Sequence, residues 1–415
     1  MTSTPNSPAP STSLGVDEAR QAILRRLTPI TGRERVAVHN ALDRVLATDV
    51  IAPCNVPAND NSAMDGYAVR AMDLAATGAT SLTIAGTAYA GQPWHGTLDA
   101  GAAIRIMTGA AIPAGADSVV VQEVTTSDGA RVTIPEGQRA GQNIRRAGED
   151  LAQGASALRA GKRCGPAELG LIASLGIAEV AVYRRLRVAF FSTGDELASI
   201  GQPLAAGQVY DSNRYTLKGA LTRLGCELLD MGVVRDRPAD LEAALRNASE
   251  NADVIVTSGG VSVGDADFVR ELVSRLGEVA FWKLDIKPGR PMAFGRIGDA
   301  WLFGLPGNPV AVLVAYYQFV QDALRTLAGV GPLAAPLIYR VTCTDAIARK
   351  PGRREFVRGR LEMTADGMRV RVAGAQGAGI LRSMSEANCF IVLAESCAGV
   401  RAGDTVSVQP FDGLI

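Results

Sequence analysis

Histidine is almost missing from this chain: 415 residues contain only His39 and His95. Neither has a nucleophile motif beside it, so a Ser-His-Asp triad lacks a base. Zinc held by several His or Cys ligands is equally poorly served. The six cysteines (Cys54, Cys164, Cys226, Cys343, Cys389 and Cys397) are scattered, with no C-x-x-C pair. Net charge is absent as well, 42 basic residues standing against 42 acidic ones. Nothing global therefore recommends nucleic acid or an anionic membrane as a partner. The greasiest run, PVAVLVAYYQFV, falls far short of the roughly 20 residues of a membrane span. The opening MTSTPNSPAPSTS has neither the basic nor the apolar region of a secretory signal. With thiols unpaired, a reduced, cytoplasmic setting is expected. The chemistry left over is that of carboxylates, lysines, arginines and a hard metal such as Mg²⁺.

What is plentiful is glycine, 45 residues against 5% aromatics, which predicts many tight turns. A chain of this length exceeds one ordinary core, so two to four domains are expected. Residues 1–13 alternate Ser, Thr and Pro and read as a disordered tail. VDEARQAILRRL and VAVHNALDRVLA have the apolar spacing of amphipathic helices, and GPAELGLIASLG returns to helix later. Between them, SLTIAGTAYA, DSVVVQEV and RVTIP alternate with Gly and Pro turns. We read a helical domain split between 14–55 and 142–180, with a β domain, 56–141, inserted in it.

From 181 to 330 the pattern is strand–helix–strand. LRVAFFSTG, CELLDMGVV, DVIVTSGG, VAFWKLDI and AWLFGLP are strand candidates, with RYTLKGALTRLG and PADLEAALRNASE as helices between them. That alternation predicts an α/β domain with a parallel-type sheet, whose ligands bind at the carboxyl ends of the strands. After the linker GVGPLAAP, residues 335–415 read as a small β-barrel-like domain, with period-two alternation in GMRVRVAG and DTVSVQP.

The polar residues collect where these strands end. TSGGVSVGDADF packs Gly259, Gly260, Ser262 and Gly264 into a loop whose N–H groups suit phosphate oxygens. It lacks a P-loop lysine and closes on Asp265 and Asp267, for which helix capping and ligand contact are both open. FFSTGDEL carries Asp195 and Glu196 toward an expected helix, where capping competes with a functional role. Asp236 in VVRDRPADL ends a third strand. FWKLDIKPGRP supplies Lys283, Lys287 and Arg290, and snorkelling to solvent competes with anion contact. GLPGNPVAV, with Pro306, Asn308 as N-cap and Pro309 at the first helical position, offers a helix N-terminus to an anion. Elsewhere Asp65 in NSAMDGYAVR, Thr108 in RIMTGA and Asp150 in NIRRAGEDL are weak signals singly, as are Arg354 and Arg358 in RREFVRG and Ser383 in LRSMS. Together they point to a phosphate-bearing ligand at a sheet edge, with carboxylates holding Mg²⁺ against it.

In this order and spacing, NSAMDGYAVR, RIMTGA, RRAGEDL, FFSTGDEL, TSGGVSVGDADF, FWKLDIKPGRPMAFG, GLPGNPVAV and REFVRG resemble the molybdopterin molybdenumtransferases. These molybdenum insertases also occur as the E domain of gephyrin, and the resemblance runs from about residue 15 to the C-terminus. It implies Mg²⁺-dependent insertion of molybdenum from molybdate into adenylylated molybdopterin, releasing AMP. It implies catalytic roles for Asp65, Asp150, Glu196, Asp236 and Asp267, of which Glu196, Asp236 and Asp267 would hold the metal. Substrate contacts would come from Thr108, Gly259, Gly260, Ser262, Gly264, Lys283, Lys287, Pro306 and Pro309, and molybdate contacts from Arg358 and Ser383. The resemblance further implies a homodimer with an intersubunit active site. Transient contacts with the adenylylating enzyme and recipient molybdoenzymes are also implied, with no nucleic acid or membrane partner. Arg290 departs from the lysine of many relatives. Two rival readings share parts of this pattern: a molybdopterin adenylyltransferase, which has the same α/β domain, and a non-catalytic gephyrin-like scaffold. The inserted and C-terminal β domains favour insertion.

Overall fold

Apolar side chains on both faces of each inner strand set the central sheet. The computed structural model describes residues 13–260 and 267–411, the side chains of 267–270 excepted. It falls into two units, Met1–Glu34 with Tyr183–Ile415, and Arg35–Val182.

In the first unit β1 (Arg187–Thr193), β2 (Glu227–Val234), β3 (Val254–Ser258), β4 (Gly277–Lys283), β5 (Pro291–Ile297) and β6 (Ala300–Leu305) form one sheet in the order β2-β1-β3-β6-β5-β4. Helices α1 (Val16–Leu24), α2 (Asn213–Arg223), α3 (Pro238–Asn251), α4 (Asp267–Leu276), α5 (Pro309–Ala315) and α6 (Gln321–Leu327) accompany it. Alternate residues of β1 enter different cores. Val188 and Phe190 pack with α1 and α2, while Ala189 and Phe191 pack with α3 and α4. Strands covered on both sides in this way read as continuous apolar runs, as RVAFFST does.

The sheet is mixed rather than purely parallel. β1, β2, β3 and β6 are parallel, but β5 runs antiparallel to both β4 and β6. PMAFGRI, which is β5, is absent from the strands expected above. It turns back at Gly298 (φ 56°) into β6, and so short a connection permits only an antiparallel pair. The chain passes from β1 outward to β2 and then back across to β3. The topological switch point therefore lies between β1 and β3, where Ser192 and Ser258 are register partners.

The C-terminal strands β7 (Tyr339–Cys343), β8 (Arg354–Thr364), β9 (Gly367–Val372), β10 (Cys389–Leu393) and β11 (Thr405–Pro410) run in the order β8-β9-β7-β11-β10. Pairing of β10 back onto β8 closes a small barrel. Val357, Ile391 and Val408 fill its interior, while Phe356 and Phe390 point outward into the core of the α/β sheet. The short strand Ile286–Lys287 adds to β8 in parallel, tying the sheet's edge to the barrel.

In the second unit six strands between Gly66 and Ile134 form one sheet, with Gly66–Val69 paired to both Ala102–Ile106 and Ser118–Val121. Its two faces bury Ile104, Ile106 and Val119 on one side and Tyr67, Val69 and Val120 on the other. The helix expected from VAVHNALDRVLA does not form. Only a short turn, Val38–Asn40, is helical, and Asp43 is left-handed at φ 62°. Its N–H groups bond across the chain instead, Asp43 to Cys164, Leu46 to Lys162 and Ala47 to Ala181. Ala41, Val45, Leu46 and Ala47 are buried without a helical stripe, while Leu42 stays exposed.

Candidate functional site

Two groups of expected site residues lie at the carboxyl edge of the α/β sheet and on the barrel beside it. At the sheet edge, β1 and β3 end in glycine turns that approach closely. A Cβ on Gly259 (φ 88°) would lie 2.4 Å from the Thr193 carbonyl oxygen, so no side chain fits there without moving backbone. Gly307, in the turn after β6, is adjacent to Gly259 and accepts a hydrogen bond from Asn213 Nδ2 at 2.7 Å. Ser192 donates to Asp211 at 2.9 Å, and the Ser192 and Ser258 hydroxyls are 3.0 Å apart. This buried polar set was not among the residues singled out in the sequence. Only the juxtaposition of β1, β3 and the start of α2 reveals it.

The helix expected after FFSTGDEL is absent. Leu197–Ala198 instead forms a short strand paired with Val209–Tyr210, so Asp195 caps nothing. Asp195, Glu196 and Asp236 are gathered together. Partial desolvation first, then the negative charges of Asp195 and Glu196, push the Asp236 carboxyl above the usual carboxylate range. The Thr193 hydroxyl lies near enough to moderate that rise, although no described residue meets it in hydrogen-bond geometry. α3 begins at Pro238 with Arg237 in the cap position, which leaves Asp236 free of that duty. Among the described residues no three His, Cys, Asp or Glu side chains are arranged to enclose a metal ion. Ser262, Gly264 and Asp265 lie outside the described residues, as does the side chain of Asp267.

On the barrel, Arg358 is 2% exposed and Ser383 1%. Arg358 Nε donates to Ser383 Oγ at 3.0 Å, and Nη2 donates to the carbonyl of Gly377 at 3.1 Å. Burial drags the guanidinium's pKa below its ordinary value, opposed by the field of Glu355. No carboxylate among the described residues forms an ion pair with it. A buried cation met only by dipoles suits an oxyanion. Arginines alternating along a strand usually form a solvated face, but Arg358 is buried. The turn holding Pro306 and Pro309 is joined to the same region, because Val310 N–H donates to Ala378 O at 3.1 Å. That bond uses part of the helix N-terminus expected to face an anion.

The basic residues of FWKLDIKPGRP are placed differently from one another. Lys283 is exposed on the edge strand β4, with no ion pair among the described residues. Lys287 Nζ pairs with Glu355 at 2.8 Å. Arg290 buries an Nε that has no hydrogen-bond partner among the described residues.

In the second unit the structure unites Asp65 and Thr108. Both the N–H and the hydroxyl of Thr108 donate to Asp65 Oδ1 at 2.7 Å. Those two bonds, the N–H first, hold the Asp65 carboxyl below the usual range, so it stays ionised at neutral pH. Asp150 is exposed, its N–H donating to Val56 O at 3.1 Å. Arg146, beside it, pairs with Asp60 at 2.6 Å.

Three family models match successive parts of the chain. They are the MoeA N-terminal region (domain I and II) over residues 14–176, a probable molybdopterin binding domain over 189–326, and the MoeA C-terminal region (domain IV) over 340–411. A molybdopterin molybdenumtransferase from Haemophilus influenzae is 44% identical over 97% of this chain and 100% of its own length. One from Nostoc is 36% identical, covering 90% of this chain and 88% of its own. A crystal structure of a molybdopterin biosynthesis MoeA protein from Pyrococcus horikoshii OT3 matches with a TM-score of 0.84 at 28% identity, covering 96% and 100% of the two chains.

Proposed function

The chain belongs to the MoeA family of molybdopterin molybdenumtransferases, and we propose that it transfers molybdenum from molybdate to adenylylated molybdopterin with release of AMP. The observation that carries this reading is the Arg358–Ser383 pair. A tetrahedral oxyanion needs a fixed positive charge, and a buried guanidinium oriented by the Ser383 hydroxyl at 3.0 Å and the Gly377 carbonyl at 3.1 Å supplies one. Molybdate has that chemistry.

The phosphate-bearing part of the substrate belongs at the switch point, over Gly259 and Gly260, whose missing side chains let a ligand approach the backbone. Glu196 and Asp236 are the residues that would hold Mg²⁺ there, with Asp267 as the third expected ligand. The fit rests on donor chemistry. Carboxylates crowded enough to push the Asp236 acid above its usual range gain from a hard cation between them. Mg²⁺ commonly takes one or two carboxylates and leaves its other positions to water and substrate phosphate, so a preformed protein cage is not required. Once bound, it would neutralise and polarise phosphoryl oxygens. The chain's own contribution is positioning: Lys283 and Lys287 balance ligand charge, and the barrel cradle holds the oxyanion.

The reading includes homodimerisation, with Asp65, Thr108 and Asp150 serving a site shared between protomers. Mixing Asp65→Ala with Arg358→Met protein would then restore part of the activity that each lacks alone. The reaction itself is tested by supplying adenylylated molybdopterin, molybdate and Mg²⁺ and following AMP. Pyrophosphate released from ATP and molybdopterin, with no molybdate-dependent AMP, would favour adenylylation instead.

A further inference from the structure

We propose that Glu355 is a positioning residue, which fixes the Lys287 ammonium for an anionic substrate. The proposal rests on the reading of Lys287 as a substrate-binding residue. A lysine side chain that is half exposed, as Lys287 is at 49%, ordinarily loses much of its rotamer freedom when a ligand fixes it. Here that ordering is already done. Lys287 Nζ lies 2.8 Å from Glu355 Oε1, and the two residues are register partners of the parallel pair that joins the sheet edge to the barrel.

Glu355 is itself held. Its side chain is 11% exposed, and its second oxygen lies 3.6 Å from Arg349 Nε, an ion pair too long for a hydrogen bond. The Arg349 side chain is 2% exposed, and its Nη1 and Nη2 donate to the carbonyls of Ala394 and Arg353 at 3.0 and 2.5 Å. Position is thus passed from barrel backbone to Arg349, to Glu355, to Lys287. A lysine paired with one carboxylate would ordinarily have its charge spent. In this trio two cations share one anion, so a net positive charge remains, and it is Lys287 that reaches solvent. The arrangement pre-organises a charge without neutralising it.

The test compares equilibrium binding of adenylylated molybdopterin by Glu355→Gln, Lys287→Met and the double variant, with thermal melts alongside. Lys287→Met should weaken binding about tenfold. Glu355→Gln should weaken it about threefold, although it removes a negative charge beside an anion, and the loss should vanish in the Lys287→Met background. Equal losses in both backgrounds, or tighter binding by Glu355→Gln, would overturn the positioning role and leave Lys287's own role standing. If Lys287→Met binds like wild type, the reading of Lys287 and this proposal both fall. Should Glu355→Gln not fold, Glu355→Asp keeps the charge but falls one methylene short of Lys287. It should show the same background-dependent loss, and wild-type binding by it would count against the proposal.

Discussion

Arg358 donates its Nε–H to the Ser383 hydroxyl at 3.0 Å, with both side chains almost wholly buried. Ser383 in turn donates to the Ile380 carbonyl at 2.7 Å, so its lone pairs face the guanidinium. The protein keeps a desolvated cation here with only neutral acceptors around it, and burial already shifts its pKa downward. Such a charge is a cost to folding unless a ligand answers it.

That cost gives the first prediction. Arg358→Met, of similar length and without charge, should leave Tm unchanged or raise it, while molybdate-dependent AMP release falls by about 100-fold or more. Arg358→Lys keeps the charge but loses the planar fork, and should fall between the two in KM for molybdate. Calorimetry beside steady-state kinetics checks both.

Asp65 supplies a pH test. Its carboxyl is held below the ordinary range by the two Thr108 donors. A depressed acid stays ionised as pH falls, until the medium drops through its folded-state pKa. Thr108→Val removes the hydroxyl donor and keeps the N–H, so the Asp65 pKa should rise toward its ordinary value. If ionised Asp65 is needed, the acid limb of the pH–rate profile moves to higher pH with little change at the optimum. Asp65→Ala should fold normally, its carboxyl being solvated, and lose activity across the whole profile.

Asp236 behaves oppositely. Its pKa is raised, so the folded state favours the protonated acid. Any stabilisation from that proton is present at low pH and lost as pH rises through the raised pKa; above it the ionised carboxyl weighs against folding. Asp236→Asn should therefore raise Tm at neutral pH and change it little in acid. Mg²⁺ should raise the wild-type Tm at neutral pH, raise it less in acid, and have much less effect on Asp236→Asn. Differential scanning fluorimetry across a Mg²⁺ and pH grid reads all three.

Much of this was legible in the sequence, for physical reasons. RVAFFST and DVIVTS are doubly covered strands and carry continuous apolar runs, while the C-terminal strands showed themselves through period-two alternation. Misses occurred where tertiary bonding overrode local pattern. VAVHNALDRVLA has helical spacing, but its N–H groups are taken by residues 160–181. FFSTGDEL has a helix-opening appearance, but Leu197 and Ala198 pair as a strand. Among functional candidates, Asp65 and Thr108 are 43 residues apart in sequence and share a hydrogen bond. Glu355 carried no signal at all, since its importance lies in touching Lys287, 68 residues earlier, across a strand pair that no local motif announces.

The close approach of β1 and β3 separates two neighbouring glycines. Gly259 and Gly260 both have positive φ, at 88° and 68°, so alanine pays a conformational penalty of about 1 kcal/mol or more at either. Their surroundings differ. A Cβ on Gly259 would meet the Thr193 carbonyl oxygen at 2.4 Å, and backbone within a buried strand pair can retreat only by disturbing the sheet. One on Gly260 would meet the Thr193 hydroxyl at 2.9 Å, the end of a side chain that can turn more easily than backbone can shift. Gly259→Ala should therefore cost about 3 kcal/mol or more in denaturant unfolding, and Gly260→Ala about 1 to 2. Substrate affinity should fall with Gly259→Ala even at temperatures where the variant is fully folded, because the ends of β1 and β3 are forced apart at the switch point. Equal stability losses for the two would mean that the strand ends yield readily, and that the turn is not held closed by the absence of a side chain.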